Sequence, residues 1–166
     1  MEDNPIKVFI SYSWDSEEHK KWVLQLADKL SQNNIYVILD QYDITPGKNL
    51  DFFVEDSIKI ANKVLIILTE NYALKADNRV GGVGQEYSII RSDISQDLKI
   101  QILKYIPVLR EGDLILSCPS FLRPLIRHDM RNNDLFDETF DDLIRFIYEK
   151  PKVERPLLGP PPDFIN

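Results

Sequence analysis

The chain has little of what several classes of protein depend on. It carries one cysteine, Cys118, so no internal disulfide framework holds it, and that usage fits a reducing, cytoplasmic interior. Nothing near Cys118 in sequence would activate it, which makes it a passive loop or core thiol rather than a nucleophile. The two histidines, His19 and His128, have no companions at metal-ligand spacing; both read as surface residues, and no metal is expected. No apolar run is long enough to cross a bilayer, and the acidic N-terminus lacks the basic start of a signal peptide. With 20 basic against 27 acidic residues the net charge is -7, and no cluster of Lys and Arg offers nucleic acid a broad surface. Glycine is scarce too. Of six in all, three crowd into RVGGVGQEYSII, residues 79–90, directly ahead of a single carboxylate, Glu86.

What is present suits one globular domain over residues 1–150, with a proline-rich tail over 151–166: 43% of residues are hydrophobic and 28% charged. IKVFISYS, Ile6 to Ser13, reads as a buried strand. Trp22, Val23, Leu26, Ala27 and Leu30 mark one face of a helix, capped by Asp15 or Ser16. IYVILD, Ile35 to Asp40, is a second strand, and Pro46-Gly47 signals a turn in the loop after it. Leu50, Phe53, Val54, Ile58 and Ala61 then give a second helix, and KVLIILT a third strand apolar enough to be covered on both faces. A long loop from Thr69 to Gly84 leads to a helix on Val83, Tyr87, Ile90 and Ile94. ILKYIPVLR is a fourth strand whose Pro107 suggests an exposed edge or a bulge. A short strand is expected within FLRPLIRHDM, then a last helix on Phe136, Phe140, Leu143, Ile144 and Ile147. The acids Asp137, Glu138, Asp141 and Asp142 form its solvated face. Alternating strands and helices predict a three-layer, flavodoxin-like α/β domain with a central parallel sheet of about five strands.

In such sheets ligands bind at the carboxyl ends of the strands, where strand order reverses. That rule gathers Ser11, Tyr12, Ser13, Trp14, Asp40, Asp43, Gly84 and Glu86 on one rim as candidate site residues. Gly81, Gly82 and Gly84 allow close approach of a ligand to the main chain. They are not a P-loop, because no GK[ST] follows, and they miss the dinucleotide fingerprint at Tyr87. Taken alone, Glu86 has two readings: an acid favoured at a helix N-terminus by the macrodipole, or the carboxylate of a site. The acids of DQYD likewise either cap a turn or touch a ligand.

KVFISYSWDSEEHKKWVLQLADKL, VILDQYDITPG, VLIILTENY and GGVGQEYSII in this order resemble the TIR superfamily, and within it the bacterial SEFIR-like domains fused to STING or other sensors in antiphage defence. The resemblance covers Ile6 to about Tyr148 and implies cleavage of NAD+ at the nicotinamide–ribose bond, with Glu86 at the catalytic position and no cofactor beyond NAD+ as substrate. It further implies self-association through the so-called BB loop, here Asp40 to Asn49, with Asp43, Pro46, Gly47 and Lys48 in the contact. A fused sensor domain, STING-like or other, is expected beyond the tail. One departure stands out: many members carry a tryptophan four residues before the glutamate, where this chain has Gly82. Stacking on the substrate then falls to Tyr12 or Trp14, and Lys48, Arg79 or main-chain NH groups of Gly81 to Gly84 would offset its phosphates. The other function the resemblance implies is a non-catalytic adaptor that uses the loop for homotypic contacts.

Overall fold

The computed structural model describes residues 4–78, 90, 92–93 and 103–165. Its regular elements run β1 (Ile6–Ser11), α1 (Glu17–Gln32), β2 (Ile35–Ile38), α2 (Asp40–Asp43), α3 (Leu50–Ile60), β3 (Lys63–Leu68), α4 (Glu70–Asn78), β4 (Tyr105–Leu109), β5 (His128–Asp129) and α5 (Phe136–Tyr148). Among the described residues five strands form one sheet, all parallel, in the order β2-β1-β3-β4-β5. The chain steps from β1 outward to β2, then crosses back over β1 to β3. Strand order therefore reverses about β1, and the expected three-layer arrangement follows.

Every residue of β3 is buried, as its unbroken apolar run requires of a strand covered on both faces. Its alternate side chains enter two separate cores. Leu65 and Ile67 join Val8, Ile10 and Val108 beneath α1 and α5, where Val23, Leu26, Leu143 and Ile147 meet them. Val64, Ile66 and Leu68 face the opposite layer, with Val54 and Ile58 of α3 and Tyr72 of α4. Each such side chain contributes about 1.5–3 kcal/mol on burial. Ser16 caps α1, its hydroxyl accepting from the His19 backbone N–H at 3.1 Å, and Asn49 caps α3 in the same way at 3.0 Å.

Several expectations change. The stretch after β3 begins not as a loop but as α4, whose Tyr72, Ala73 and Ala76 are buried. Alanines carry the helical spacing there and give a weak apolar signal. Within the loop after β2, Asp40–Asp43 forms one helical turn. Pro107 is not on the sheet's outer strand, since β4 lies between β3 and β5. Among the described residues β5 pairs with Val108 and Leu109 and stops short of Pro107, so the missing N–H costs no ladder bond to β5. The helix expected on Val83, Tyr87, Ile90 and Ile94 lies outside the described residues, except that Ile90, Ser92 and Asp93 are helical and Ile90 is wholly buried.

Candidate functional site

The last residues of β1 and the turn after it build one wall of a cleft. Tyr12 is 8% exposed and Trp14 60% exposed, yet both reach the same carboxylate. The Tyr12 hydroxyl donates to Asp40 Oδ1 at 2.8 Å and Trp14 Nε1 to Asp40 Oδ2 at 2.8 Å. Gln41 completes the set, its backbone N–H donating to Asp40 Oδ1 at 2.8 Å and its side-chain amide to the Tyr12 hydroxyl at 3.0 Å. Lys20 lies 5.1 Å above the Trp14 ring. Burial first, then the adjacent Asp40 carboxylate, pushes the Tyr12 phenol far above its ordinary range.

A second network ties β1 to β3. The Ser13 hydroxyl lies 3.4 Å from Thr69 Oγ1 and donates to Asp15 Oδ1 at 2.5 Å, while Asn71 Nδ2 donates to that same oxygen at 2.7 Å. Burial would raise the Asp15 carboxyl, but bonds from Ser13, Asn71 and Thr69 outweigh it and leave it below the usual carboxylate range. His19 is a correction to the sequence reading. It is 2% exposed, beneath the Tyr12 ring at 6.1 Å, and among the described residues neither ring nitrogen has a hydrogen-bond partner. Burial lowers its pKa against the raising fields of Asp15 and Glu111, and Arg110 lowers it further. His128 is only part-buried, its Nε2 2.7 Å from the Thr139 carbonyl.

Between these walls lies a cavity of about 170 Å³, lined by Tyr12, Ser13, Trp14 and Asp40 on one side and by Leu50, Phe53 and Val54 of α3 on the other. Lys75 of α4 also lines it. So the structure brings together four of the predicted site residues. Ser11 lies below them, 1% exposed, its hydroxyl 3.0 Å from that of Tyr72. Asp43 is turned to its own turn, where Oδ2 accepts from the Leu39 backbone N–H at 3.0 Å; of the two acids in DQYD, this one caps. Pro46, Gly47 and Lys48 are exposed, and Lys48 Nζ donates to the Asp43 carbonyl at 2.5 Å. Glu86 and Gly84, with Arg79, Gly81 and Gly82, lie outside the described residues. Lys75 was missed by sequence reasoning because α4 was; the spacing of Tyr72, Ala73 and Ala76 is the signal that would have found it.

A parallel α/β sheet with its cleft at the switch about β1 defines a class, and comparison gives the family. The chain belongs to the TIR domain family, which matches residues 8–144. It is similar to a prokaryotic SEFIR domain of known crystal structure, with 39% identity over 93% of this chain and 99% of that one and a TM-score of 0.72. The fold is shared with the TIR domains of the activated Roq1 resistosome, which directly recognises the effector XopQ: 14% identity, 86% of this chain, 99% of that one, TM-score 0.61. It is shared too with a metazoan TIR-STING receptor from C. gigas, at 21% identity over 84% of this chain and 39% of the receptor, TM-score 0.60. No curated protein matches.

Proposed function

We propose that this TIR domain hydrolyses NAD+ at the nicotinamide–ribose bond, with Glu86 as the carboxylate that holds the ribose, as an effector in antiphage defence switched on when copies cluster. The observation that supports it is the cavity after β1 and β2. Its walls are mostly apolar or aromatic, as a flat pyridine or purine ring requires, with the Asp40 carboxylate held by Tyr12 and Trp14, and Lys75 lines it as a cation for a phosphate. Nicotinamide leaves as a neutral molecule, taking the electron pair of the bond to C1′. The positive charge then spreads over C1′ and the ring oxygen, as in glycoside cleavage. A fixed carboxylate stabilises that charge, water adds at C1′ and loses a proton, and ADP-ribose results; attack by an internal nucleophile would give a cyclised product instead. No second acid is needed to protonate the leaving group. NAD+ is the substrate and no other cofactor is invoked.

Clustering is proposed to run through the loop Asp40 to Asn49, with Asp43, Pro46, Gly47 and Lys48 in the contact, under a fused sensor domain of STING-like or other kind. The test is nicotinamide release from NAD+ by the protein, dilute and artificially clustered, beside Glu86→Ala. Release that rises on clustering and vanishes in the variant supports the reading; equal release by both removes Glu86 from it. A second reading, a non-catalytic adaptor, draws on Leu50 and Phe52, 50% and 68% exposed immediately after that loop. It predicts clusters that turn over no NAD+.

A further inference from the structure

At the other end of the sheet, away from the cavity, a groove of about 620 Å³ runs between the start of β4 and the C-terminal end of α5. Its floor is apolar: Ile106, Pro107 and Phe146, with Ile126 at the lip. Ile126 is 95% exposed, and Phe146, packed edge-on against His128 at 5.1 Å, keeps 47% of its surface exposed. The charge around it opposes that of the chain. Lys63, Arg127, Arg145 and Lys150 line the groove against one carboxylate, Glu149, in a protein of net charge -7. Lys63 pairs with Glu149 at 2.9 Å and Arg145 with Asp141 at 3.0 Å, which leaves the basic excess with Arg127 and Lys150.

The tail starts on the wall of this groove, at Pro151. From there it is exposed at every described residue, and it carries large apolar side chains into solvent: Leu157 98%, Leu158 94%, Phe164 87% and Ile165 64% exposed. Phe164 and Ile165 sit beside Asp163 in a single 3₁₀ turn, Asp163–Ile165. We propose that this turn, from the tail of a second copy, docks in the groove, with Phe164 against Phe146 and Ile126 and Asp163 toward Arg127 and Lys150. Charge and apolar surface are complementary, and each partner is uncovered alone. A second copy fits better than the same chain. Asp163 lies twelve residue steps beyond Pro151, roughly 37 Å when extended at polyproline rise, and Pro160, Pro161 and Pro162 stiffen the last stretch against folding back. Two copies that exchange tails form a closed pair, and copies that pass their tails to different neighbours build chains or rings.

The test uses sedimentation velocity on the full chain over a wide concentration range, with Ile126→Glu as the groove variant and Phe164→Ser as the tail variant. Both positions are exposed, so both variants fold. The parent is expected to associate with rising concentration, and each variant alone to lose at least tenfold in association constant. Their equimolar mixture is expected to recover it but to stop at dimers, since only one productive tail and one productive groove meet. A labelled peptide of residues 157–166 is expected to bind the Phe164→Ser chain and not the Ile126→Glu chain. A monomeric parent, variants that associate like the parent, or a mixture that stays monomeric would overturn the proposal. Association through the loop Asp40 to Asn49 would raise the mass of parent and variants alike, so the differences among them carry the proposal, and loss of NAD+ turnover has no bearing on it.

Discussion

The Tyr12 hydroxyl and the Asp40 carboxylate, 28 residues apart in sequence, meet at 2.8 Å and join the ends of β1 and β2. Because Trp14 shares that carboxylate, a ring that is largely in solvent is nonetheless held in one place at the cleft mouth. Asp40 is therefore a structural clamp for the aromatics as well as a wall of the cavity.

Asp40→Ala removes the acceptor for the Tyr12 hydroxyl, the Trp14 indole and the Gln41 backbone N–H together. The Tyr12 hydroxyl is part-buried and loses its acceptor, keeping the Gln41 amide as a donor to it. A loss of about 1–3 kcal/mol is expected, read from urea unfolding, with a red shift of Trp14 fluorescence as its indole becomes free. Asp40→Asn keeps one acceptor and is expected to lose less.

His19 makes stability fall with acid. Its folded pKa is depressed by burial, so below the ordinary histidine value of about 6.5 the unfolded chain takes a proton that the folded one refuses. Stability is full above that pH and drops as pH falls through the folded pKa. Because both ring nitrogens are unpartnered, His19→Phe is expected to be neutral or stabilising at neutral pH. It should also flatten the decline between pH 7 and 5. Urea midpoints at the two pH values decide it; an unchanged slope would count against the assignment.

At the alkaline end the same reasoning applies to Tyr42. Burial, then the bond its hydroxyl donates to Asp28, pushes this phenol up to about 12. The unfolded chain releases its proton near pH 10 while the folded one holds it, so stability declines from there toward the folded pKa. Tyr42→Phe is expected to make that decline shallower, and to remove the phenolate absorbance that this tyrosine contributes near pH 12, below that of the more deeply buried Tyr12.

Two glycines with nearly the same backbone separate strain from clash. Gly47 and Gly112 have φ of +93° and +92°. A Cβ at Gly47 meets nothing within 4 Å, whereas one at Gly112 comes to 2.4 Å of Ser117 Oγ and 2.8 Å of Glu70 Cγ. Gly47→Ala is expected to cost about 1 kcal/mol from backbone strain alone. Gly112→Ala should cost about twice that or more, because α4 and the turn after β4 must part. Thermal unfolding of the pair reads the difference.

The strands and longer helices were legible because their signals are local. The apolar run of β3 and the spacing of Val23, Leu26, Ala27 and Leu30 on α1 lie within a few residues of one another. Where the local signal was weak, reading failed: α4 is carried by alanines, and His19 was placed outside because a polar side chain in a first turn normally faces water. Its burial depends on Tyr12, which lies on another element.

By itself the sequence determined the order of the five strands, the helices α1, α3 and α5, the parallel sheet, the family and a short list of rim residues, since periodicity and motif order are properties of neighbours along the chain. Only the tertiary structure decided which of those residues meet. Asp40 turns to Tyr12 and Trp14 while Asp43 turns to its own backbone, and Lys75 enters the cavity wall. Contacts such as Ser13 with Thr69, 56 residues apart, arise from how the layers pack, and no stretch of a few residues encodes that.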